Sequence, residues 1–220
     1  MSVHLKKDID KLKRDLLSLC AVVEEQVQCA IRALLDRDEA LARQVELRDD
    51  EIDRLEIEVE EDCLKTLALH QPVAVDLRMI VSVLKINSDL ERIGDMAVNI
   101  AHKAAAFAAE PHVEIPFDIV GMWEKTQAML HDSIDALVNM DAALAESVCV
   151  RDDEVDRMKH GFRVEIEEAI AANPQRLRPL LRLLAVTRNL ERVADSATSI
   201  AQDVIYMIQG KIVRHRRNEG

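Results

Sequence analysis

The sequence predicts an all-α protein: six long helices forming two tandem, duplicated three-helix bundles related by a pseudo-twofold. Three observations carry that prediction. Only 5 Gly and 5 Pro interrupt 220 residues, too few for the turns a strand-rich chain of this length requires. Apolar residues recur at alternating spacings of three and four over long stretches, the pattern of one buried helical stripe. Two charged blocks recur about 100 residues apart, as an internal duplication places them. With aromatics at 2 % and hydrophobic residues at 49 %, the interior is left to Leu, Ile, Val and Ala, a composition suited to helix bundles.

The first helix is marked by Leu5, Ile9, Leu12, Leu16, Leu19, Val23, Val27, Ala30 and Leu34, with Asp36-Arg37-Asp38 as its break. A second helix is expected from about Ala40 to Leu69, ending at His70-Gln71-Pro72. The third carries Val83, Ile86, Leu90, Ile93, Ala97, Ile100, Ala104 and Phe107. Residues 111–116 hold two prolines and no periodicity and read as a linker between a first unit, 1–110, and a second, 117–220. The order then repeats. One helix runs from Pro116 to about Met140 and another from about Ala142 to Ala172. A turn follows from Asn173-Pro174 to Arg178-Pro179, and a last helix reaches Gln209, with Gly210 as its C′ residue.

The halves match in detail. Arg48-Asp49-Asp50-Glu51-Ile52-Asp53-Arg54 reads against Arg151-Asp152-Asp153-Glu154-Val155-Asp156-Arg157, identical at six of seven positions. Asp89-Leu90-Glu91-Arg92-Ile93-Gly94-Asp95 reads against Asn189-Leu190-Glu191-Arg192-Val193-Ala194-Asp195. Each half therefore holds two acidic pairs at i,i+4: Asp49/Asp53 with Glu91/Asp95, and Asp152/Asp156 with Glu191/Asp195. That spacing puts both members of a pair on one helical face. Asp53 lies about 17 residues before the first turn and Glu91 about 19 after it, so both sit roughly 25–30 Å along antiparallel helices. The second half repeats the coincidence. At 100° per residue Glu91 and Asp95, and likewise Glu191 and Asp195, point away from the apolar stripe, so any site they form flanks the bundle and is open to solvent.

Two readings of the acidic pairs stand side by side. Arg48, Arg54, Arg92, Arg151, Arg157, Arg188 and Arg192 offer ion pairs between helices, or solvent simply covers the acids. Alternatively, a divalent cation offsets a like-charge repulsion that costs roughly 0.2–0.5 kcal/mol per i,i+4 pair. Carboxylate oxygens suit hard or borderline ions. A ferritin-like di-iron bundle needs inward Glu-x-x-His, and none of the seven histidines has Glu three residues before it.

Composition excludes other classes. The net charge of -12 argues against a nucleic-acid partner, which needs a basic stripe. The basic stretch Lys211–Arg217 is read as a helix end or solvated tail. Cys20, Cys29, Cys63 and Cys149 show no metal or redox spacing and suit a reducing, cytoplasmic setting. The first 19 residues hold acidic residues and no apolar core, unlike a signal peptide. No run is long enough to span a bilayer, so membrane association is expected only through partners. No GxGxxG, Walker A or GxSxG motif is present, and no catalytic constellation emerges.

The stretches Leu90-Glu91-Arg92-Ile93-Gly94-Asp95-Met96-Ala97-Val98-Asn99-Ile100-Ala101 and Leu190-Glu191-Arg192-Val193-Ala194-Asp195 through Val204-Ile205-Tyr206, with the turns His70-Gln71-Pro72 and Asn173-Pro174, resemble the paired signatures of the PhoU family. The resemblance covers nearly the whole chain. It implies a non-enzymatic cytoplasmic regulator, often a homodimer, that contacts the ATP-binding subunit of the phosphate transporter and the membrane phosphate-sensor histidine kinase. It also implies negative regulation of phosphate uptake and of phosphate-starvation genes. Some relatives hold iron or zinc clusters through their E/DxxxD pairs, which makes Asp49, Asp53, Glu91, Asp95, Asp152, Asp156, Glu191 and Asp195 the candidate ligands for iron, zinc or another divalent metal. The second motif departs at Ser199 and Gln202, which places the firmer metal expectation in the first half. The alternatives are a metal-storage bundle and a metal-dependent phosphohydrolase.

Overall fold

In the computed structural model, which describes residues 3–111 and 113–213, helices account for nearly all the described backbone. Arg214, Arg216 and Arg217 of the basic stretch lie outside the described residues. The first unit comprises α1 (Val3–Leu35), α2 (Glu39–Leu47), α3 (Asp49–His70) and α4 (Ala74–Ala108). The second comprises α5 (Ile119–Asn139), α6 (Ala142–Ala172), one 3-10 turn (Pro174–Arg176) and α7 (Leu177–Gln209).

The helix ends follow local chemistry. Asp38 Oδ1 accepts from the Leu41 N–H at the start of α2, Asp118 Oδ1 from Gly121 at the start of α5, and Asp141 Oδ1 from Ala143 and Leu144 at the start of α6. Each satisfies donors that have no partner inside the helix. Gly210 closes α7 with φ +70°, the left-handed cap expected of it, and its α-carbon faces the Arg78 guanidinium. The last turn is shorter than the sequence suggests. Pro179 lies in the first turn of α7, where its missing N–H costs nothing.

The expected second helix is two helices. At Arg48 the N–H is shared between the Gln44 and Val45 carbonyls, at 3.1 and 3.3 Å, and its own carbonyl accepts from Glu51 at 3.1 Å. The chain thus tightens into a 3-10-like turn and restarts. The matching block of the second half runs unbroken through α6. The shared motif therefore does not itself break a helix. The break makes Asp49, Asp50 and Glu51 the first turn of α3, where their charges meet the positive end of the helix dipole.

The two units share one core. Buried residues of all seven helices form a single cluster. The long central helices α4 and α7 pack extensively on each other, α4 is also covered by α1, α2 and α3, and α7 by α5 and α6. Small residues on both, Ala97, Ala101 and Ala104 with Ala197 and Ala201, are fully buried.

Arg37, in the α1–α2 connection, closes the C-terminus of α4. Its Nη2 donates to the carbonyls of Phe107 (2.8 Å), Ala108 (3.2 Å) and Glu110, and its guanidinium stacks 4.7 Å from the Phe107 ring. From α7, Arg182 Nη1 donates to the Ala106 carbonyl and to Glu110 Oε1. One arginine from each unit therefore fastens the same helix end.

Candidate functional site

The α3–α4 seam carries Asp49, Asp53, Glu91 and Asp95, and the α6–α7 seam carries Asp152, Asp156, Glu191 and Asp195. Asp53, Asp95 and Asp195 are exposed and the other five half-buried, so the clusters flank the bundle as their phase predicts. In the first seam, close approach is possible because Gly94 has no side chain. A β-carbon there would stand 3.0 Å from Ile52 Cδ1 and 3.7 Å from Asp49 Oδ1.

Desolvation, and after it mutual repulsion, acts on the carboxyls of both clusters. Burial pushes the Asp49 carboxyl above its ordinary range, Asp53 and Asp95 add to the shift, and the Gln26 amide opposes it. Glu91 is raised by burial and then by Asp95, Glu56 and Asp53. In the second half Asp152 is raised by burial, against a hydrogen bond from Thr198 Oγ1 (3.3 Å). Asp195 is exposed as a residue, but its carboxyl is partly desolvated by its crowded neighbours. It rises to about 6 through that desolvation and then the charges of Glu191, Asp152 and Asp156, with Lys159 opposing. All of these are cases in which desolvation and like charge disfavour the ionised form.

Four of the seven arginines named as rivals for the carboxylates pair elsewhere. Arg48 pairs with Glu25 on α1 (3.0 Å), Arg54 with Glu58 (2.8 Å), Arg92 with Asp89 (3.2 Å) and Arg151 with Asp132 on α5 (2.6 Å). Among the described residues, no ion pair joins any of these arginines to the eight acids.

Three participants were not read from the sequence. Gln26 reaches the first cluster from α1. Only 2 % exposed, it donates its amide to Asp49 Oδ1 at 3.3 Å, and its own Oε1 is buried without a partner. Glu56 joins the same cluster and accepts from Asn87 Nδ2 through its carbonyl (2.9 Å) and its carboxylate (3.1 Å), while Asn87 Oδ1 is also buried without a partner. In the second half, Lys159 Nζ sits 2.7 Å from Glu191 Oε1 and 3.7 Å from Asp156 Oδ1. Carrying the offset of 103 two residues beyond the Arg48–Arg54 block pairs Glu56 with Lys159, which was the available signal.

The donor sets therefore differ. The first cluster has carboxylates and neighbouring buried amide oxygens, hard donors that fit a divalent ion. The second includes an ammonium and does not fit one. Among the described residues, no group of three or more His, Cys, Asp or Glu side chains stands close enough to hold a metal as it is, so loading the first cluster requires side-chain rotation.

Little else invites chemistry. An apolar pocket lined by residues including Leu16, Met79, Val83, Leu137 and Met207 contains none of the cluster carboxylates. Burial pushes the thiols of Cys20 and Cys63 up to about 12 and that of Cys149 to about 11, far from the reactive range. No helix among the described residues is long and apolar enough to cross a membrane.

Comparison with known proteins agrees with this architecture. The family model described as "PhoU domain" matches twice, over residues 16–104 and 119–204. The chain belongs to the PhoU family. The two PhoU matches take in most of α4 and α7 and both carboxylate seams, so the duplication read from the sequence is one domain repeated. Among relatives, the chain is 37% identical over 214 residues to the phosphate-specific transport system accessory protein PhoU homolog of Aquifex aeolicus, covering 97% of each chain. It is 36% identical over 218 residues to the Pseudomonas aeruginosa homolog of the same name, covering 98% of this chain and 89% of that one. The crystal structure of PhoU from Pseudomonas aeruginosa superposes with a TM-score of 0.90 at 35% identity, covering 94% of this chain and 99% of that one. That of the phosphate transport system regulatory protein PhoU from Streptococcus pneumoniae gives 0.85 at 26% identity, over 95% and 99%.

Proposed function

We propose that this chain is a non-catalytic accessory protein of phosphate transport that restrains phosphate uptake and phosphate-starvation gene expression when phosphate is ample. It works as a cytoplasmic homodimer through contacts with the transporter ATP-binding subunit and the membrane phosphate-sensor histidine kinase. The observation that carries this reading is likeness along both halves, at 36–37% identity, to proteins named for the phosphate-specific transport system. Supporting it, the carboxylate clusters lie on open flanks, where their negative charge disfavours a phosphate-ester substrate.

Within that role Asp49, Asp53, Glu91 and Asp95 hold a divalent metal such as iron or zinc. Such an ion, when bound, supplies positive charge that ties α3 to α4. The chain's own residues do the selecting. Four carboxylates provide hard oxygen donors, Gln26 orients Asp49, and the absent side chain at Gly94 lets the helices approach. The analogous assignment of Asp152, Asp156, Glu191 and Asp195 is weakened by Lys159.

The test is affinity capture from native lysate at low and at high phosphate. Recovery of the transporter ATPase or the sensor kinase, identified by mass spectrometry, is the expected result. Capture of neither under both conditions contradicts the contact mechanism.

A further inference from the structure

We propose that Lys159 is a tethered counter-cation that occupies the second carboxylate cluster in place of a metal ion, so that the two halves of this duplicated chain carry one open metal site and one closed one. The contrast rests on the reading of the first cluster as a metal site, whereas the role given to Lys159 stands on its own contacts.

Asp152, Asp156 and Lys159 fall at i, i+4 and i+7 of α6 and so share one helical face. From that face the ammonium crosses the seam to Glu191 Oε1 on α7 at 2.7 Å while staying 3.7 Å from Asp156 Oδ1 on its own helix. One cation thus joins carboxylates of both helices, the task a bridging metal would perform. The side chains involved are well shielded: Lys159 is 24% exposed, Glu191 18% and Asp156 30%. Asp152 is served separately by Thr198 Oγ1.

The first half differs at each of these positions. Glu56 stands where Lys159 stands, adding a carboxylate where the second half adds an ammonium, and Val98 stands where Thr198 stands. The buried amide oxygens of Gln26 and Asn87 that have no partner lie beside the first cluster, and among the described residues no such atom belongs to α6 or α7. An arriving dication in the second half would meet a fixed positive charge at short range and would have to break its ion pairs first. In the first half it meets five carboxylates and no ammonium.

The test uses the full chain freed of metal by chelation, titrated with Mn2+ and followed by electron paramagnetic resonance, with melting recorded in EDTA and in Mn2+. Wild type is expected to bind Mn2+ in its first half alone, and Glu56→Lys to lose that binding. Lys159→Glu is expected to gain second-half binding, tightened on the order of tenfold or more. In EDTA it melts below wild type, and Mn2+ restores it. Lys159→Met also melts lower but gains less binding, because it removes the ammonium without adding a ligand. A Lys159→Glu protein that melts like wild type and gains no Mn2+ overturns the proposal. So does wild-type Mn2+ binding that survives Glu56→Lys and is lost in Glu191→Gln. If wild type binds no Mn2+, the metal reading of the first cluster fails, while the melting loss of Lys159→Glu and its rescue still decide the role of Lys159.

Discussion

Leu90→Ala and Leu190→Ala are each expected to lower unfolding free energy by about 3–4 kcal/mol, and each to leave a single cooperative transition. The two leucines occupy matched places in the duplicated motif, and both are fully buried. Either truncation removes buried methyl groups and leaves a void that rigid neighbouring helices fill only in part. The number of transitions is the more informative readout. If the units were independent bundles, Leu90→Ala would melt the first and spare the second, splitting the calorimetric peak. Because α4 packs on α7 and the buried residues form one cluster, loss in either unit is felt by both. Differential scanning calorimetry of both variants decides the matter, and two resolved peaks in either would refute the shared core.

The second large effect belongs to a residue outside any helix. Arg37→Ala is expected to cost about 2–3 kcal/mol, since it strips charged hydrogen bonds from several carbonyls at the C-terminus of α4. It also removes the guanidinium from the Phe107 ring. Arg37→Lys keeps the charge but cannot span the same set of carbonyls, so it recovers only part of the loss. The backbone offers an internal control. Arg37 has φ +54°, a left-handed conformation that glycine adopts without strain, so Arg37→Gly should be less harmful than Arg37→Ala by about 1 kcal/mol. Urea denaturation of the three variants tests the ranking Lys, then Gly, then Ala in order of rising cost. Equal losses for Gly and Ala would show that backbone strain at Arg37 contributes nothing.

Arg37 also shows what periodicity leaves hidden. Its partners lie about 70 residues away in sequence, and Asp36-Arg37-Asp38 reads locally as a plain helix break. The helices themselves were legible because a stripe such as Leu5 to Leu34 repeats the helical period over many turns, and the structure buries every one of those residues. The split at Arg48 was not legible, since the same Arg-Asp-Asp-Glu block continues a helix in the second half. Composition of the motif cannot distinguish them, and the turn at Arg48 is seen only in the backbone hydrogen bonds of the fold. For the candidate site, i,i+4 spacing and matched heights located all eight carboxylates on their seams. Arginine pairing was one of the two readings of these acids, and Arg48, Arg54, Arg92 and Arg151 turn to Glu25, Glu58, Asp89 and Asp132 instead. Lys159 lies two residues outside the identical block, so the repeat alone does not mark it. Gln26 comes from a third helix, on a face whose register against α3 only the fold reveals.

The proposed role of this PhoU-family chain is restraint of the phosphate-starvation response. It is tested most directly by a phosphate-starvation reporter in a strain lacking the gene, grown in ample phosphate, with and without the chain restored from a plasmid. The account predicts strong reporter expression in the deletion strain and repression once the chain is supplied. A deletion strain that remains fully repressed at ample phosphate would contradict it.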